Sequence, residues 1–303
     1  MGHTVLITGA TGKSGRYAIE RLAQRRDAWK DWDVRLLVRP TSDMTFLEQF
    51  GLPLTVIRGN LFDDDCLREA LNGVDTLLHI VGICESPRVI RLAKAAGVHR
   101  AILVHTTGAY SKYKAASSEY IAIDRDVTAF CRENGIALTL LRPTMIYGGV
   151  DDQNVITFIK MMDKLPVMPV VGGARFLLQP VHRRDLGYGY ADALLAGDIT
   201  AGKNYDLSGK SPITLREMLT VIAGYLGKTP RFCSVPYWLA ITGAWGLYLV
   251  SFTKLDLREK VQRLVEPRAY PHDAATRDFG YDPMSFADGV KGEVEAYLAQ
   301  KGK

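Results

Sequence analysis

Three glycines near the start of the chain have the spacing of a phosphate-binding turn. Gly9, Gly12 and Gly15 form a GxxGxxG pattern between an apolar strand pattern at residues 4–7 and a helical pattern at residues 15–25. Glycine lets such a turn leave the strand tightly, approach a phosphate and pack the helix closely on the sheet. Amides at the helix N-terminus supply an anion site. The pattern therefore predicts a site for the diphosphate of a dinucleotide.

The residues between these glycines complete the predicted turn. We expect the diphosphate to be held by the turn as a whole, which consists of Gly9, Thr11, Gly12, Lys13, Ser14 and Gly15. Lys13 does not make this a Walker loop, because the GxxxxGK[ST] spacing is absent.

The tip of the second predicted strand carries a cation. The strand at residues 33–38 is followed by Arg39, and no acid stands there. An acid at this point accepts hydrogen bonds from the ribose hydroxyls of NAD, whereas a 2′-phosphate needs a cation. Arg39 can form charge-assisted hydrogen bonds to a phosphate, with Arg16 as a supplement. The sequence therefore favours NADP(H) over NAD(H), and a solvated surface arginine is the alternative interpretation of Arg39.

Several loose motifs follow one another along nearly the whole chain. They are Gly59-Asn60-Leu61-Phe62-Asp63, Val74-Asp75-Thr76-Leu77-Leu78-His79 before Val81-Gly82, Leu141-Arg142-Pro143-Thr144-Met145-Ile146-Tyr147-Gly148, Gln179-Pro180-Val181-His182-Arg183-Arg184-Asp185-Leu186 and Phe279-Gly280-Tyr281-Asp282-Pro283. With the glycine turn, their order and spacing resemble the extended and atypical short-chain dehydrogenase/reductases, in particular NmrA-like and NAD-dependent epimerase/dehydratase-like members.

The resemblance implies a cofactor cleft and a substrate lobe. It implies that Asn60 and Leu61 contact the adenine end of the cofactor and that Val81 and Gly82 line the cleft. It also implies that the nicotinamide lies near Pro143 and that a C-terminal lobe binds a small-molecule substrate.

The chain departs from the family pattern at the catalytic position. The family uses a tyrosine as general acid and base, and a lysine four residues later lowers the pKa of the phenol and holds the nicotinamide ribose. Counting back from Pro143 places the tyrosine at Tyr120, and the lysine position then holds Asp124. An anion there is expected to raise the pKa of Tyr120. Arg125 is an imperfect replacement because it points about 100° away around the helix.

A second tyrosine and lysine pair matches the spacing alone. Tyr110 and Lys114 follow so soon after the strand pattern at residues 101–105 that we expect them on a loop. Tyr110 is therefore either a relocated catalytic residue or the family tyrosine that shapes the substrate pocket. Thr106 or Thr107 occupies the position of the family's catalytic hydroxyl, which would bind the substrate carbonyl. The alternative is a hydroxyl that the backbone satisfies at the strand end.

Three histidines and one aspartate are interpreted as structural. His79 and His105 end strands that face the cleft, where a hydrogen-bonded structural histidine is the more common outcome. His182 precedes a helical pattern that we expect Asp185 to cap.

Strand and helix patterns alternate through the first half of the chain. Short apolar strands are predicted at residues 4–7, 33–38, 54–58, 76–81, 101–105 and 137–141. Such strands suit a parallel sheet covered by helices. We predict the α/β class: a Rossmann-type doubly wound parallel sheet with a smaller, mostly helical C-terminal substrate lobe. The sheet domain is expected at residues 1–147, to which 179–210 returns, and the lobe at 148–178 and 211–303.

Composition narrows the class of protein and its partners. The 303 residues are 47% hydrophobic and 23% charged, which is typical of a globular chain. The formal net charge of +5, without a run of basic and aromatic residues, predicts no nucleic-acid partner. Four scattered cysteines indicate neither a disulfide framework nor a zinc site, so no metal is expected. The start of the chain shows no secretory pattern, which predicts a cytoplasmic location.

One long apolar segment, residues 238–252, needs its own interpretation. It is shorter than the roughly 20 residues needed to cross a bilayer, so no transmembrane segment is predicted. A buried helix that lines the substrate lobe is the first interpretation. A membrane-surface contact and the interface of a homodimer are the alternatives.

Two functions remain open from the sequence. The first is an NADP(H)-dependent reductase or epimerase that acts on a small ketone, alcohol or nucleotide-sugar, with Tyr120 or Tyr110 and Thr106 serving the substrate oxygen. The second is a non-catalytic NADP(H)-binding redox sensor or regulatory protein of the NmrA type. The absence of the family lysine favours the second.

Overall fold

The computed structural model of the protein describes residues 3–113, 115–251 and 256–302. At its centre is a seven-stranded sheet in which all neighbouring strands are parallel. In order across the sheet, the strands are β11 (Asn204–Leu207), β6 (Ala137–Pro143), β5 (Arg100–Val104), β4 (Thr76–His79), β1 (Thr4–Thr8), β2 (Asp33–Val38) and β3 (Leu54–Arg58). The chain winds outwards from β1 in both directions. The predicted α/β, doubly wound class is confirmed.

Helices cover both faces of this sheet, which explains why its inner strands are buried and mostly apolar. One face packs against α1 (Gly15–Gln24), α2 (Thr45–Glu48), α7 (Arg183–Leu195) and α11 (Asp273–Phe279). The other face packs against α3 (Asp64–Leu71), α4 (Ser86–Ala95) and α5 (Ser117–Glu133). All five residues of β1 are buried.

A third apolar core forms beyond the carboxyl end of β6, and we call it the C-terminal core. It brings together residues of α6 (Val155–Lys164), α8 (Leu215–Tyr225) and α12 (Phe286–Lys301). Three short strand pairs accompany it: β7 (Ile146–Tyr147) with β10 (Val181–His182), β8 (Met168–Val171) with β13 (Phe232–Val235), and β9 (Leu177–Leu178) with β12 (Ile213–Thr214). The helix α10 (Arg258–Leu264) borders this core through Leu264. The domain limits at residues 147, 178 and 210 stay a prediction.

The start of α8 illustrates how local sequence fixes an element of this core. The Thr214 hydroxyl accepts a hydrogen bond from the Glu217 amide at 3.1 Å, and the Glu217 carboxylate accepts one from the Thr214 amide at 2.7 Å. This reciprocal pair satisfies two amides that the first turn of a helix leaves without partners. The apolar residues Leu215, Met218, Leu219 and Ile222 then recur at helical spacing and are buried.

The helix α9 (Tyr237–Val250) contradicts the interpretation of the apolar segment as a buried helix. Ala244 is its one buried residue, whereas Trp238, Leu249 and Val250 are 67%, 66% and 79% exposed. The prediction was wrong because an apolar run does not show whether another element of the fold covers the helix. None of the described helices combines the length and hydropathy needed to cross a bilayer. The membrane-surface and homodimer interpretations stay predictions.

The cap of α7 also differs from the expectation. The ring of His182, not Asp185, accepts a hydrogen bond from the Arg184 amide, at 3.2 Å. Asp185 is already inside the first turn, and its carboxylate accepts a bond from the Met284 amide at 2.9 Å. Asp185 therefore joins α7 to the segment before α12 instead of capping the helix.

Candidate functional site

The glycine turn packs as closely as the spacing predicted. Gly9 has a φ of +80°, and the Gly12 amide donates to the Gly9 carbonyl oxygen at 2.9 Å. A Cβ atom on Gly15 would lie 2.0 Å from that same oxygen. Only glycine fits there, because the first turn of α1 rests directly on the loop.

A cleft of about 250 Å³ opens beside this turn, between the ends of β1, β2, β3 and β4. Its lining includes seven of the residues proposed to bind the cofactor: Gly9, Thr11, Gly12, Arg39, Asn60, Leu61 and Val81. Five others lie outside that lining: Lys13, Ser14, Gly15, Gly82 and Pro143. Parallel strands end together at this edge, which is where ligands of doubly wound sheets bind.

Lys13 is directed away from the cleft by a carboxylate. Its Nζ atom lies 3.2 Å from an oxygen of Asp151, whose other oxygen lies 3.0 Å from the Arg183 guanidinium. Ser14 is the N-cap residue of α1, and a Cβ atom on Gly187 of α7 would lie 2.4 Å from its carbonyl oxygen. These residues therefore hold the turn between α7 and the segment that follows β7.

Two arginines flank the tip of β2. Arg39 is exposed and lines the cleft, while the guanidinium of Arg16 lies 4.8 Å from the centre of the Phe46 ring. The Nε atom of Arg16 is buried and has no hydrogen-bond partner among the described residues. A buried donor without a partner is costly, so an anion at this point would be stabilised. The glycine turn and the cleft beside it fit a nicotinamide dinucleotide.

The adenine end of the cleft is shaped by the turn after β3. The side-chain oxygen of Asn60 accepts a hydrogen bond from the Phe62 amide at 3.1 Å, and Phe62 is 62% exposed. The Leu61 carbonyl oxygen accepts a bond from Arg88 at 2.7 Å. Both contacts fix the backbone that the resemblance assigns to the adenine.

A second cavity, of about 300 Å³, lies beyond the ends of β5 and β6, and we call it the polar cavity. Its lining is rich in hydroxyl, amide and guanidinium groups and comprises Thr106, Thr107, Gly108, Ser111, Thr144, Met145, Ile146, Asn154, Leu178, Gln179, Arg263, Arg268 and Tyr270. Thr106 accepts a hydrogen bond from the Gly108 amide at 3.0 Å, and Thr107 donates to the Pro143 carbonyl oxygen at 3.0 Å. Thr107 is therefore committed to the backbone, while the O–H of Thr106 remains able to donate.

Asp124 lines neither the cleft nor the cavity that contains Thr106 but forms part of a buried network. Its carboxylate accepts hydrogen bonds from Nδ1 of His105 and from the Arg142 guanidinium. The second ring nitrogen of His105 lies 3.0 Å from the Ser86 hydroxyl. Burial alone would raise the pKa of the Asp124 carboxyl, but the hydrogen bonds from His105 and Arg142 outweigh it and the pKa is lowered.

Tyr120 lies in the first turns of α5, half-buried. Burial raises the pKa of its phenol, with Cys84 and Glu119 adding to the rise and Arg263 opposing it. The pKa is thus raised as expected, but Asp124 is not the cause. Arg125 does not replace the lysine either, because it is exposed and lies 3.3 Å from Asp126. The cation that opposes the rise in the pKa of Tyr120 is Arg263, which belongs to α10.

Tyr110 is held by a neighbouring strand. Its hydroxyl donates to an oxygen of Asp206 on β11 at 3.1 Å, and its ring lies 5.2 Å from that of Tyr270. Burial, only partly offset by Arg142, raises the pKa of Tyr110 to about 12. Its hydroxyl is bonded within the protein, and Lys114, its proposed partner, lies outside the described residues.

The two strand-end histidines are hydrogen-bonded, as a structural role requires. Nδ1 of His79 lies 2.7 Å from the Thr8 hydroxyl, and burial lowers the pKa of His79 to about 3. His105 belongs to the network of Asp124. Each histidine ties two neighbouring elements together at the carboxyl edge of the sheet.

Arg263 and Arg268 both line the polar cavity, and neither was predicted from the sequence. The Nε atoms of both are buried without a hydrogen-bond partner in the described part of the chain. No motif covers this stretch. These two arginines reach the polar cavity because α10 and the segment around Arg268 fold back over it. Arg268 forms a β-bridge with Leu178.

The glycine turn lies within the part of the chain that matches a known family. A family model described as NAD(P)H-binding matches residues 9–164, about half of the chain. The chain belongs to this NAD(P)H-binding family. The match and the fold confirm the resemblance of this NAD(P)H-binding protein to the extended short-chain dehydrogenase/reductases.

Three curated proteins illustrate its relatives. It is 29% identical to the (4-alkanoyl-5-oxo-2,5-dihydrofuran-3-yl)methyl phosphate reductase of Streptomyces griseus, over 75% of this chain and 76% of that one. It is 21% identical to the 2-alkyl-3-oxoalkanoate reductase of Shewanella oneidensis, over 94% and 84%. It is also 21% identical to the mitochondrial NADH-ubiquinone oxidoreductase 40 kDa subunit of Neurospora crassa, over 98% and 80%.

A solved structure shares the fold of this NAD(P)H-binding protein. The dTDP-glucose 4,6-dehydratase of Streptomyces venezuelae, solved as a double mutant with NAD bound, superposes with a TM-score of 0.70. The superposition covers 98% of each chain at 20% identity. At this identity the likeness concerns the fold alone.

Proposed function

We propose that this protein is an NADP(H)-dependent oxidoreductase that reduces a carbonyl group in the polar cavity. One observation carries the proposal: Thr106, whose O–H remains able to donate, lines a cavity that also includes Thr144, the residue after Pro143. The family resemblance implies that the nicotinamide lies near Pro143. Two of the relatives are named as reductases, and one name specifies a 2-alkyl-3-oxoalkanoate.

The residues of the glycine turn would hold the cofactor by its diphosphate. Arg39, which lines the cleft, would bind the 2′-phosphate with Arg16 as a supplement, which supports NADP(H) over NAD(H). The exposed ring of Phe62 would cover one side of the adenine. When bound, the dinucleotide supplies a hydride to the substrate.

Thr106 and Tyr120 would serve the carbonyl oxygen. The Thr106 hydroxyl accepts from Gly108, so its own proton can be donated to the substrate oxygen. Tyr120 has a raised pKa and therefore stays protonated at neutral pH, which suits a proton donor in the reducing direction. Tyr120 is not among the residues that line the polar cavity, but Arg263, whose charge acts on its phenol, lines that cavity together with Thr106.

Loss of NADPH absorbance in the presence of a panel of ketones and aldehydes tests this proposal. We expect turnover with at least one carbonyl class and a loss of at least about tenfold in kcat/KM for Thr106→Val. Thr107→Val is the control for the removal of a nearby hydroxyl. Tight NADPH binding without turnover across the panel would overturn the reductase function.

One observation favours the second candidate, a non-catalytic NADP(H)-binding protein. The lysine position holds Asp124, which is occupied by Arg142 and His105 and cannot hold a ribose hydroxyl as a lysine does. One relative is named as the 40 kDa subunit of an NADH-ubiquinone oxidoreductase. The panel described above separates the two candidates.

A further inference from the structure

A second cavity adjoins the polar cavity, and we call it the apolar cavity. It has a volume of about 380 Å³ and lies in the C-terminal core, between α6, α8, α10 and the pair of β8 with β13. Four residues line both cavities: Met145, Asn154, Arg263 and Arg268. The two cavities are therefore adjacent, and we call these four residues, at their junction, the shared wall.

The linings of the two cavities differ in chemistry. The polar cavity presents Thr106, Ser111 and Gln179, whereas the apolar cavity presents mainly hydrocarbon and thioether groups. The latter include Phe158, Met161, Met168, Val170, Leu215 and Leu219. Flexible methionines and branched side chains suit an unbranched hydrocarbon chain, because they adapt to its shape and exclude water.

The shared wall carries two cations, which differ in their carboxylate partners. Arg268 forms no ion pair with any described carboxylate, whereas Arg263 forms an ion pair with Glu259 at 3.8 Å. Glu266 is close in sequence but accepts hydrogen bonds from the Ser111 hydroxyl and the Lys112 amide, both at 2.7 Å. The buried Nε–H groups of Arg263 and Arg268 have no acceptor among the described residues, which is unfavourable, so this wall is suited to bind an anion.

We propose, as an extension of the reductase function above, that the substrate is an anionic amphiphile: a carbonyl compound with a carboxylate or phosphate group and an alkyl chain. The anionic group binds at Arg263 and Arg268, and the carbonyl oxygen binds at Thr106. The alkyl chain fills the apolar cavity. Burial lowers the pKa of Arg268 only to about 10, so its charge is retained at neutral pH.

Binding of non-reducible probes tests this inference without relying on turnover. Decanoate, decyl phosphate, hexanoate and decanol are titrated by calorimetry into the protein saturated with NADP⁺. We expect decanoate or decyl phosphate to bind at least about tenfold more tightly than decanol, because the latter lacks the charge. We expect each added methylene between hexanoate and decanoate to tighten binding about threefold to fourfold.

Two variants separate the head from the tail of the ligand. Arg268→Met should remove the preference for anions over decanol, while Arg175→Met, an exposed arginine outside both cavities, should not. Met161→Trp should fill the apolar cavity and lower the affinity for decanoate to that for hexanoate, without weakening hexanoate. Circular dichroism confirms that each variant is folded.

The outcomes distinguish this inference from the function on which it rests. Equal binding of decanoate and decanol, or affinity independent of chain length, overturns the proposal of an anionic amphiphilic substrate, even when ketones are reduced. Selective binding of decanoate or decyl phosphate supports it even when no carbonyl compound is turned over. A preference between these two anions identifies the head group.

Discussion

Asp124 accepts two hydrogen bonds from the guanidinium of Arg142, at 2.9 and 2.7 Å, with both side chains largely buried. The pair joins α5 to β6 directly below the carboxyl edge of the sheet. The residue in the lysine position of the family is therefore part of the architecture of this chain.

Restoring the family lysine should damage the protein instead of improving it. Asp124→Lys places a cation against Arg142 and His105, and breaking a buried ion pair costs about 3–5 kcal/mol. Urea unfolding should show this loss, without a gain in turnover. Asp126→Lys, on the exposed side of the same helix, should change the free energy of unfolding by less than about 1 kcal/mol. A more active, equally stable Asp124→Lys variant would contradict the structural role.

The two tyrosines should behave differently when the hydroxyl is removed. Tyr120→Phe should lower kcat by about 100-fold to 10,000-fold, because it removes the proton donor. Tyr110→Phe loses only its bond to Asp206 and should cost about 1 kcal/mol of stability, with kcat changed less than about tenfold. Steady-state kinetics with NADPH and urea unfolding measure both effects. The reverse ranking would assign the proton donor to Tyr110.

Arg39 should govern the choice between the two nicotinamide cofactors. Arg39→Ala removes a charge-assisted contact to the 2′-phosphate and should weaken NADPH binding about tenfold while leaving NADH binding unchanged. Arg26→Ala, an exposed arginine beyond the other end of α1, is the control. Comparison of the two dissociation constants measures the effect. Equal losses for NADPH and NADH would remove Arg39 from phosphate recognition.

Glu293 should make the stability of the fold depend on pH. Burial, with Asp152 adding to it, raises the pKa of Glu293 from its ordinary value of 4.5 to about 9. Because the folded chain retains a proton that the unfolded chain has released, stability falls as pH rises from about 4.5 to about 9. Glu293→Gln mimics the protonated carboxyl and can still accept from the Gly148 amide.

Thermal unfolding of this variant checks the sign of the effect. At pH 8, Glu293→Gln should melt higher than the unmodified protein by roughly 3 °C for each kcal/mol regained. At pH 4.5 the difference should be small. Glu295→Gln, an exposed residue of the same helix, should show no such dependence. A difference that is constant with pH would show that Glu293 is not the titrating group.

The sheet and the glycine turn could be predicted because local signals and tertiary packing agree there. Apolar strands such as residues 4–7, the spacing of the glycines and the absence of an acid after β2 all depend on neighbours in sequence. These features follow from periodicity and from turn geometry.

The part of the site proposed to bind the substrate could not be predicted, because contacts between residues distant in sequence determine its structure. Asp124 was interpreted by its spacing from Tyr120, yet its partners His105 and Arg142 lie 19 and 18 residues away. Arg268 reaches the polar cavity only through its bridge to Leu178. The exposure of α9 likewise depends on what covers an apolar helix, which hydropathy does not encode.

Calorimetric titration of NADPH into the folded protein tests the central claim, that amides of the glycine turn bind a dinucleotide. We predict saturable binding with a dissociation constant below about 100 μM. Binding should weaken at least about tenfold in Gly15→Ala, whose Cβ would lie 2.0 Å from the Gly9 carbonyl oxygen, but not in Gly224→Ala, which has open space around it. The absence of binding of both NADPH and NADH to the folded wild-type chain would contradict the account.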